Sequence, residues 1–139
     1  MNIELRTTLA PPLVEQLHEL YRNEWWTSER KLSDVETMLQ FSDFVFAYVD
    51  ADDRLAGFAR VLSDHVYKAF LFDVIVSPAY RGKGLGGRIL RDVTTHPVLS
   101  RVSSIELYCR PDLNDFYSSF GFVRVASGEL HLMRRVRPE

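Results

Sequence analysis

From Val74 to Leu90 the chain reads Val-Ile-Val-Ser-Pro-Ala-Tyr-Arg-Gly-Lys-Gly-Leu-Gly-Gly-Arg-Ile-Leu. An apolar run leads into a basic turn, and the turn opens a helically spaced segment. Gly82, Gly84, Gly86 and Gly87 crowd four glycines into six positions. Ordering so many glycines is costly unless the backbone must curl with positive φ or admit a close neighbour. Such a curl aims several N–H groups at one point, and the helix N-terminus adds partial positive charge there. Arg81 and Lys83 add full charges. The segment is built to hold a phosphate group, and it commits the chain to at least one strand–turn–helix unit.

The rest of the sequence arranges itself around that unit. Ile3 to Thr7 alternates as a strand. Pro11-Pro12 opens a helix with Leu13, Leu17, Leu20 and Tyr21 as its apolar stripe. Ser33-Asp-Val-Glu36 reads as a capping box for a second helix running to Phe41, with Val35, Met38 and Leu39 inward. Phe44 to Asp50 and Leu55 to Ser63 form an antiparallel hairpin across the acidic turn 50–54. Tyr67 to Val76 is almost continuously apolar, which predicts a strand covered on both faces. A helix from Gly84 to Thr95 buries Leu85, Ile89, Leu90 and Val93. Ser104 to Tyr108 is the next strand, parallel to 67–76 by a right-handed crossover. Asp112 is placed to cap a last helix carrying Leu113, Phe116, Tyr117 and Phe120, with Gly121 as its stop. Phe122 to Val125 and Leu130 to Arg135 read as a closing pair of strands. The expected class is mixed α/β, with one central sheet of about seven strands, flanking helices, and a single domain over residues 1–139.

Composition narrows the functions open to such a fold. The 139 residues are 46% hydrophobic, with 9 Phe, 6 Tyr and 2 Trp, enough to fill one core. A net charge of −2 with interspersed signs argues against a general nucleic-acid binder. No apolar run approaches the roughly 20 residues that a membrane span needs, and the start lacks the shape of a signal peptide. Cys109 is the one cysteine, so neither an intrachain disulfide nor a cysteine metal cluster is expected. No histidine pair has metal-ligand spacing. These features point to a cytoplasmic protein without membrane or nucleic-acid partners.

Three readings compete for the glycine turn. Gly82, Gly84 and Gly87 satisfy G-x-G-x-x-G, but a dinucleotide fold normally begins with this unit and needs more parallel strands than the chain has room for. A nucleotide P-loop needs Gly-Lys-Ser/Thr where Gly87-Arg88 stands. A plain helix-entry turn leaves the cost of four glycines without a purpose. A further pattern does match: Arg81-Gly-Lys-Gly-Leu-Gly86 fits Arg/Gln-x-x-Gly-x-Gly/Ala, and Asp112-Leu-Asn-Asp-Phe-Tyr-Ser-Ser-Phe-Gly-Phe122 fits a later Phe-Tyr-x-x-x-Gly-Phe signature. With these two motifs in order, the chain resembles the GNAT-type N-acetyltransferases over nearly its whole length.

That resemblance implies acetyl-CoA as donor and direct transfer of acetyl to a primary amine. The residue spacing gives no metal site, and 139 residues leave little for an extra protein-docking domain, which favours a small molecule as acceptor. The family's pattern assigns further roles. The resemblance implies that backbone amides of residues 82–87, Leu85 included, hold the pyrophosphate, with Arg81 and Lys83 assisting. The donor arm would lie between two strands that splay apart, pairing with Val74, Ile75 and Val76, and the Val74 N–H would polarise the thioester carbonyl. Asn114 would contact the coenzyme. Tyr117 matches the tyrosine that protonates the departing thiolate. The position used for a glutamate base by histone-modifying members falls at Phe70, which takes no proton. Asp73, the sole ionisable residue in its apolar run, is then the candidate base, because isolated burial would raise its pKa; it reads equally well as a structural acid. Glu106 and His65 are weaker candidates. The acceptor pocket would come from the first two helices and their connection, hence Tyr21, Glu24, Trp25 and Trp26. Many members are dimers, and the final strands would offer edges for a second copy. An acyl-CoA-binding module without catalysis is the alternative function.

Overall fold

In the computed structural model, which describes residues 2–125, 128 and 130–138, the first four strands follow one another as an antiparallel meander. They are β1 (Ile3–Arg6), β2 (Phe44–Asp50), β3 (Leu55–Ser63) and β4 (Lys68–Val76), and β5 (Ser104–Leu107) joins β4 in parallel. The antiparallel pairs need only short turns, whereas the parallel pair needs a crossover, supplied here by a helix. The described residues fall into two compact units, Met1–Tyr108 and Cys109–Glu139, and the sheet lies in the first.

Alternation along the strands gives the first unit two covered faces. On one, α1 (Pro11–Arg22) and α2 (Leu32–Phe41) place Leu13, Leu17, Tyr21 and Val35 against Val45, Ala47, Phe58 and Ile75. On the other lies α3 (Leu85–Thr94), with Leu85, Ile89, Leu90 and Val93 all buried as its periodicity predicts. Gly57 lets α3 approach β3 closely. A Cβ at that position would stand 3.0 Å from Leu85 Cδ2, 3.2 Å from Ile89 Cδ1 and 3.3 Å from the Ile75 carbonyl oxygen. Arg88 and Asp92 also fasten this helix to the sheet. Arg88 Nη1 donates to the Ile3 carbonyl at 2.9 Å, and Tyr48 Oη donates to Asp92 at 2.9 Å.

Four expectations need correction. The sheet has five strands, not seven: among the described residues of 122–138 there is no strand, because their alternating side chains stay exposed and no ladder partner pairs with them. The edge expected there for a second copy is therefore missing from the described residues. The helix α2 begins at Leu32, before the supposed capping box, with the Lys31 carbonyl accepting from the Asp34 and Val35 amides. Finally, β4 is not covered equally on both faces. Ala69, Leu71 and Ile75 are buried, but Phe70, Phe72, Val74 and Val76 are only half-buried.

The second unit is described by itself. A 3-10 turn over Pro111–Leu113 leads into a short helix α4 (Asn114–Ser118), so Asp112 lies in the turn and caps nothing. Gly121, at φ 89°, does end this segment, with its N–H bonding the Ser118 carbonyl at 3.0 Å.

The close contact at Gly57 gives a direct test. Gly57→Val should lower stability by about 1–3 kcal/mol through overpacking against α3, read as a lower midpoint in urea unfolding.

Candidate functional site

Between Phe58 and Arg60 the β3–β4 register slips: Phe58 faces Ile75, Arg60 faces Phe72, and Ala59 stands against both Asp73 and Val74. This is a β-bulge, which bends a strand and re-aims its groups. Asp73 takes φ 57° there, a region that Asp tolerates better than most residues. On its other edge β4 pairs with β5 only from Lys68↔Ser104 to Leu71↔Leu107, and β5 ends at Leu107 while β4 continues to Val76. The two strands therefore part beyond Leu71. Val74, Ile75 and Val76 lie in the stretch of β4 that has left β5.

The glycine turn follows at the end of this stretch. Gly82 and Gly84 have φ of 76° and 83°, and a Cβ on either would project into open space. These two glycines thus serve backbone curvature, and nothing within the chain crowds them. The first bond of α3 is Arg88 N–H to the Gly84 carbonyl, at 3.2 Å. The amides of Leu85, Gly86 and Gly87 consequently have no partner within the helix and point out of its positive end. The Leu85 side chain is buried, so only its amide is available. Lys83 is exposed, with its ammonium 5.5 Å from the Tyr80 ring centroid. Curvature, clearance and free amides fit a diphosphate. A cavity of about 420 Å³ between α1, the β2–β3 turn and Ser77–Lys83 adjoins this loop through Lys83 alone among the loop's residues.

Asp73 is not isolated. Arg30 Nη1 and Arg60 Nε each donate to its Oδ2 at 2.7 Å, and Tyr21 Oη donates to the same atom at 3.0 Å. Burial alone pushes this carboxyl up, but the hydrogen bonds and charges of Arg30 and Arg60 outweigh it and hold Asp73 below the ordinary carboxylate range. The expected rise is therefore reversed, and Asp73 is a poor proton acceptor near neutral pH. Tyr21 is corrected as well. It is fully buried, its hydroxyl is spent on Asp73, and it does not line an acceptor pocket. Burial, then the Asp73 charge, drive its own pKa far up.

The other candidates sort by their partners. Glu24 is half-buried and accepts from Arg81 Nη2 at 3.1 Å, while Arg81 Nε donates to the Val76 carbonyl at 3.2 Å. This ties the α1–α2 connection to the mouth of the glycine turn. Trp25 and Trp26 are both exposed on that connection, and Thr27 beside them is buried with its hydroxyl on the Tyr21 carbonyl. Glu106 is hydrogen-bonded by Lys68, which holds it below its ordinary range. His65 sits at φ 69° in an exposed turn organised by Asp64. Within the second unit, Tyr117 is buried against Phe116 and Phe122, with ring centroids at 5.0 and 6.0 Å. Burial, then the Cys109 charge, push its phenol up to about 12. Asn114 Oδ1 accepts from the Cys109 thiol at 3.5 Å.

Sequence reasoning missed the partners of Asp73. Arg30 and Arg60 are 43 and 13 residues away from it, and no periodicity links them. The signal available was a lone acid in an apolar strand, which implies a buried counter-charge.

A strand parting with a glycine turn at its mouth is the arrangement expected of an acyl-coenzyme A-dependent N-acyltransferase fold. The sequence profile of the acetyltransferase (GNAT) family matches residues 12–122. The chain belongs to this family. It is 30% identical over 116 residues to the uncharacterized N-acetyltransferase ycf52 of Pyropia yezoensis, a match covering 81% of this chain and 66% of that protein. It is 27% identical over 125 residues to the chloroplastic GCN5-related N-acetyltransferase 1 of Arabidopsis thaliana, covering 89% and 63%. The chain thus spans just under two thirds of the length of these relatives. Among solved structures, a GNAT-family protein from Xanthomonas campestris superposes with a TM-score of 0.83 at 27% identity, covering 98% of this chain and 94% of that one. AAC(6')-Iy, solved in complex with the bisubstrate analogue CoA-S-monomethyl-acetylneamine, superposes with a TM-score of 0.72 at 20% identity, which is a likeness of fold.

Asp73→Asn tests the buried network. Losing the charge that two arginines share should destabilise the protein by about 3 kcal/mol at pH 7. Because the folded-state pKa is depressed, the wild-type advantage is present above the unfolded value of about 4 and fades as pH falls through the folded one. Urea unfolding should therefore show a gap between wild type and variant that is wide at pH 7 and narrows below pH 4.

Proposed function

We propose that this chain is an acetyl-CoA-dependent N-acetyltransferase that acts on the primary amine of a small molecule. The observation that carries this reading is the set of free first-turn amides, Leu85 to Gly87, behind two positive-φ glycines beside the parting of β4 from β5. The match to the GNAT family runs from residue 12 to 122, across the boundary between the two units, and supports one working domain over residues 1–139. The lone thiol, Cys109, is exposed and suits a reducing, cytoplasmic setting.

In this reading the amides of residues 82–87 and the Lys83 ammonium bind the pyrophosphate. Val74 to Val76 offer backbone groups to the pantetheine arm, and the Val74 N–H donates to the thioester oxygen as negative charge develops there. When bound, acetyl-CoA supplies the activated acetyl group. The amine nitrogen forms the new C–N bond, the C–S bond breaks, the nitrogen loses its surplus proton to water, and the thiolate takes one from a general acid. Tyr117 is the proposed acid. A phenol held near 12 stays protonated at neutral pH and has a proton to give. Asp73 and Glu106 are both held ionised by basic partners, so the amine enters already neutral and no carboxylate takes its proton.

That same pairing of both carboxylates with basic partners, which leaves neither as a base, favours a second reading, an acyl-CoA-binding module without turnover. Free thiol release with acetyl-CoA and an amine separates the two: release supports the enzyme, and coenzyme binding with no release on any amine supports the module. Gly84→Glu should abolish CoA binding in calorimetry, since it fills the cradle and adds negative charge, and undiminished affinity would defeat both readings. Tyr117→Phe should slow turnover on the order of 10²-fold, whereas a wild-type rate would remove Tyr117 from the mechanism. Without an enzyme base, kcat/KM for the amine should rise tenfold per pH unit up to the acceptor's own pKa. A plateau reached near pH 7 would instead reveal a titrating base.

A further inference from the structure

The half-buried face of β4 carries an aromatic cluster that no candidate role has absorbed. Phe70 and Phe72 share this face and stack, with centroids 5.9 Å apart and planes at 20°. Tyr108 closes the triangle at 5.8 Å from Phe70 and 6.3 Å from Phe72. Its position follows from register: Phe70 pairs with Glu106, so Tyr108 lies two residues on, just past Leu71↔Leu107, the last pair before the strands part. The cluster therefore stands at the edge of the gap in which the donor arm is proposed to lie. Its face is that of Arg60 and Phe58, toward α1 and the α1–α2 connection.

Two observations say what such a surface would take. The rings are available: Tyr108 is 57% exposed and Leu62, the cross-strand neighbour of Phe70, is 39% exposed. The charges bordering them are already matched. Arg60, whose guanidinium lies 4.9 Å from the Phe72 centroid, is bound to Asp73, and at the other end Lys68 is bound to Glu106. Among the described residues of the first unit, the acids paired beside these rings, Asp73 and Glu106, are both matched, which leaves neither to select a multiply charged amine. Selection then rests on stacking and edge-to-face contact, for which centroid spacings of roughly 4.5–7 Å are favourable.

We propose that Phe70, Phe72 and Tyr108 form the acceptor subsite, and that it takes a primary amine carried on a short arm from an aromatic ring. This rests on the acetyltransferase reading above and adds the acceptor class to it. The ring of the acceptor lies on the shelf, and its amine reaches over the parting.

The test uses the full chain with saturating acetyl-CoA and three probes: 2-phenylethylamine, n-butylamine and spermidine. Thiol release should give a kcat/KM for 2-phenylethylamine at least tenfold above n-butylamine and above spermidine. Tyr108→Ala, a change at an exposed position, and Phe72→Leu should each collapse that ratio toward unity, chiefly by raising KM, with CoA affinity by calorimetry serving as the check on folding. Equal use of the three amines, a preference for spermidine, or a ratio untouched by both variants would overturn the subsite while leaving the transferase reading intact. If no amine releases thiol, that reading fails, and the shelf is judged by saturation-transfer NMR of 2-phenylethylamine on the CoA-loaded protein. Binding that Tyr108→Ala removes supports it; no binding, or binding indifferent to the variant, overturns it. A crystal structure with the three rings packed beneath another part of the chain would overturn it too.

Discussion

Two arginines and a tyrosine converge on the carboxylate of Asp73, and the geometry of β4 depends on that convergence. The residue sits at positive φ inside a bulge, a conformation that costs energy and persists only where its surroundings determine it. Tyr21 from α1, Arg30 from the α1–α2 connection and Arg60 from β3 supply that determination. One buried charge thus links the first helix, the connection after it and the strand that leads to the glycine turn. A carboxylate with such partners is a positioning group: its negative charge is held by the partners and is not offered to a proton.

The bulge also sets the course of the chain downstream. It shifts the alternation of β4, so that Phe72 and Asp73 both address the α1 face while Val74 to Val76 run on alone past the end of β5. The strand then delivers the chain to Gly82 and Gly84, whose positive φ values turn it into α3. Helix α3 is held to the sheet by close packing at Gly57 and by the bonds of Arg88 and Asp92. The free amides at its N-terminus are therefore fixed by contacts on the far side of the sheet from the Asp73 network. The glycine turn and the parted strand pair are thus anchored from both faces of the sheet.

Local patterns were legible wherever a chemical requirement was local. The glycine turn, the buried stripe of α3 and the glycine stop after α4 are each set by residues within one or two turns of one another, and each stands where the sequence reading puts it. The closing strands 122–125 and 130–135 were misread for the complementary reason. Alternation shows that a segment could pair, but pairing requires an edge elsewhere to accept it. The supposed capping box failed similarly: Ser33 and Glu36 have the right spacing, yet α2 starts earlier at Leu32 and leaves them inside its first turn.

By itself the sequence determined the class of fold, the family and the glycine turn that opens α3, because glycines, spacing and apolar periodicity act over short range. Only tertiary structure decided the charge state of Asp73, the burial of Tyr21 and the meeting of Phe70, Phe72 and Tyr108. Each of these depends on side chains brought together from distant positions, and the electrostatics of a buried group are set by what surrounds it in space.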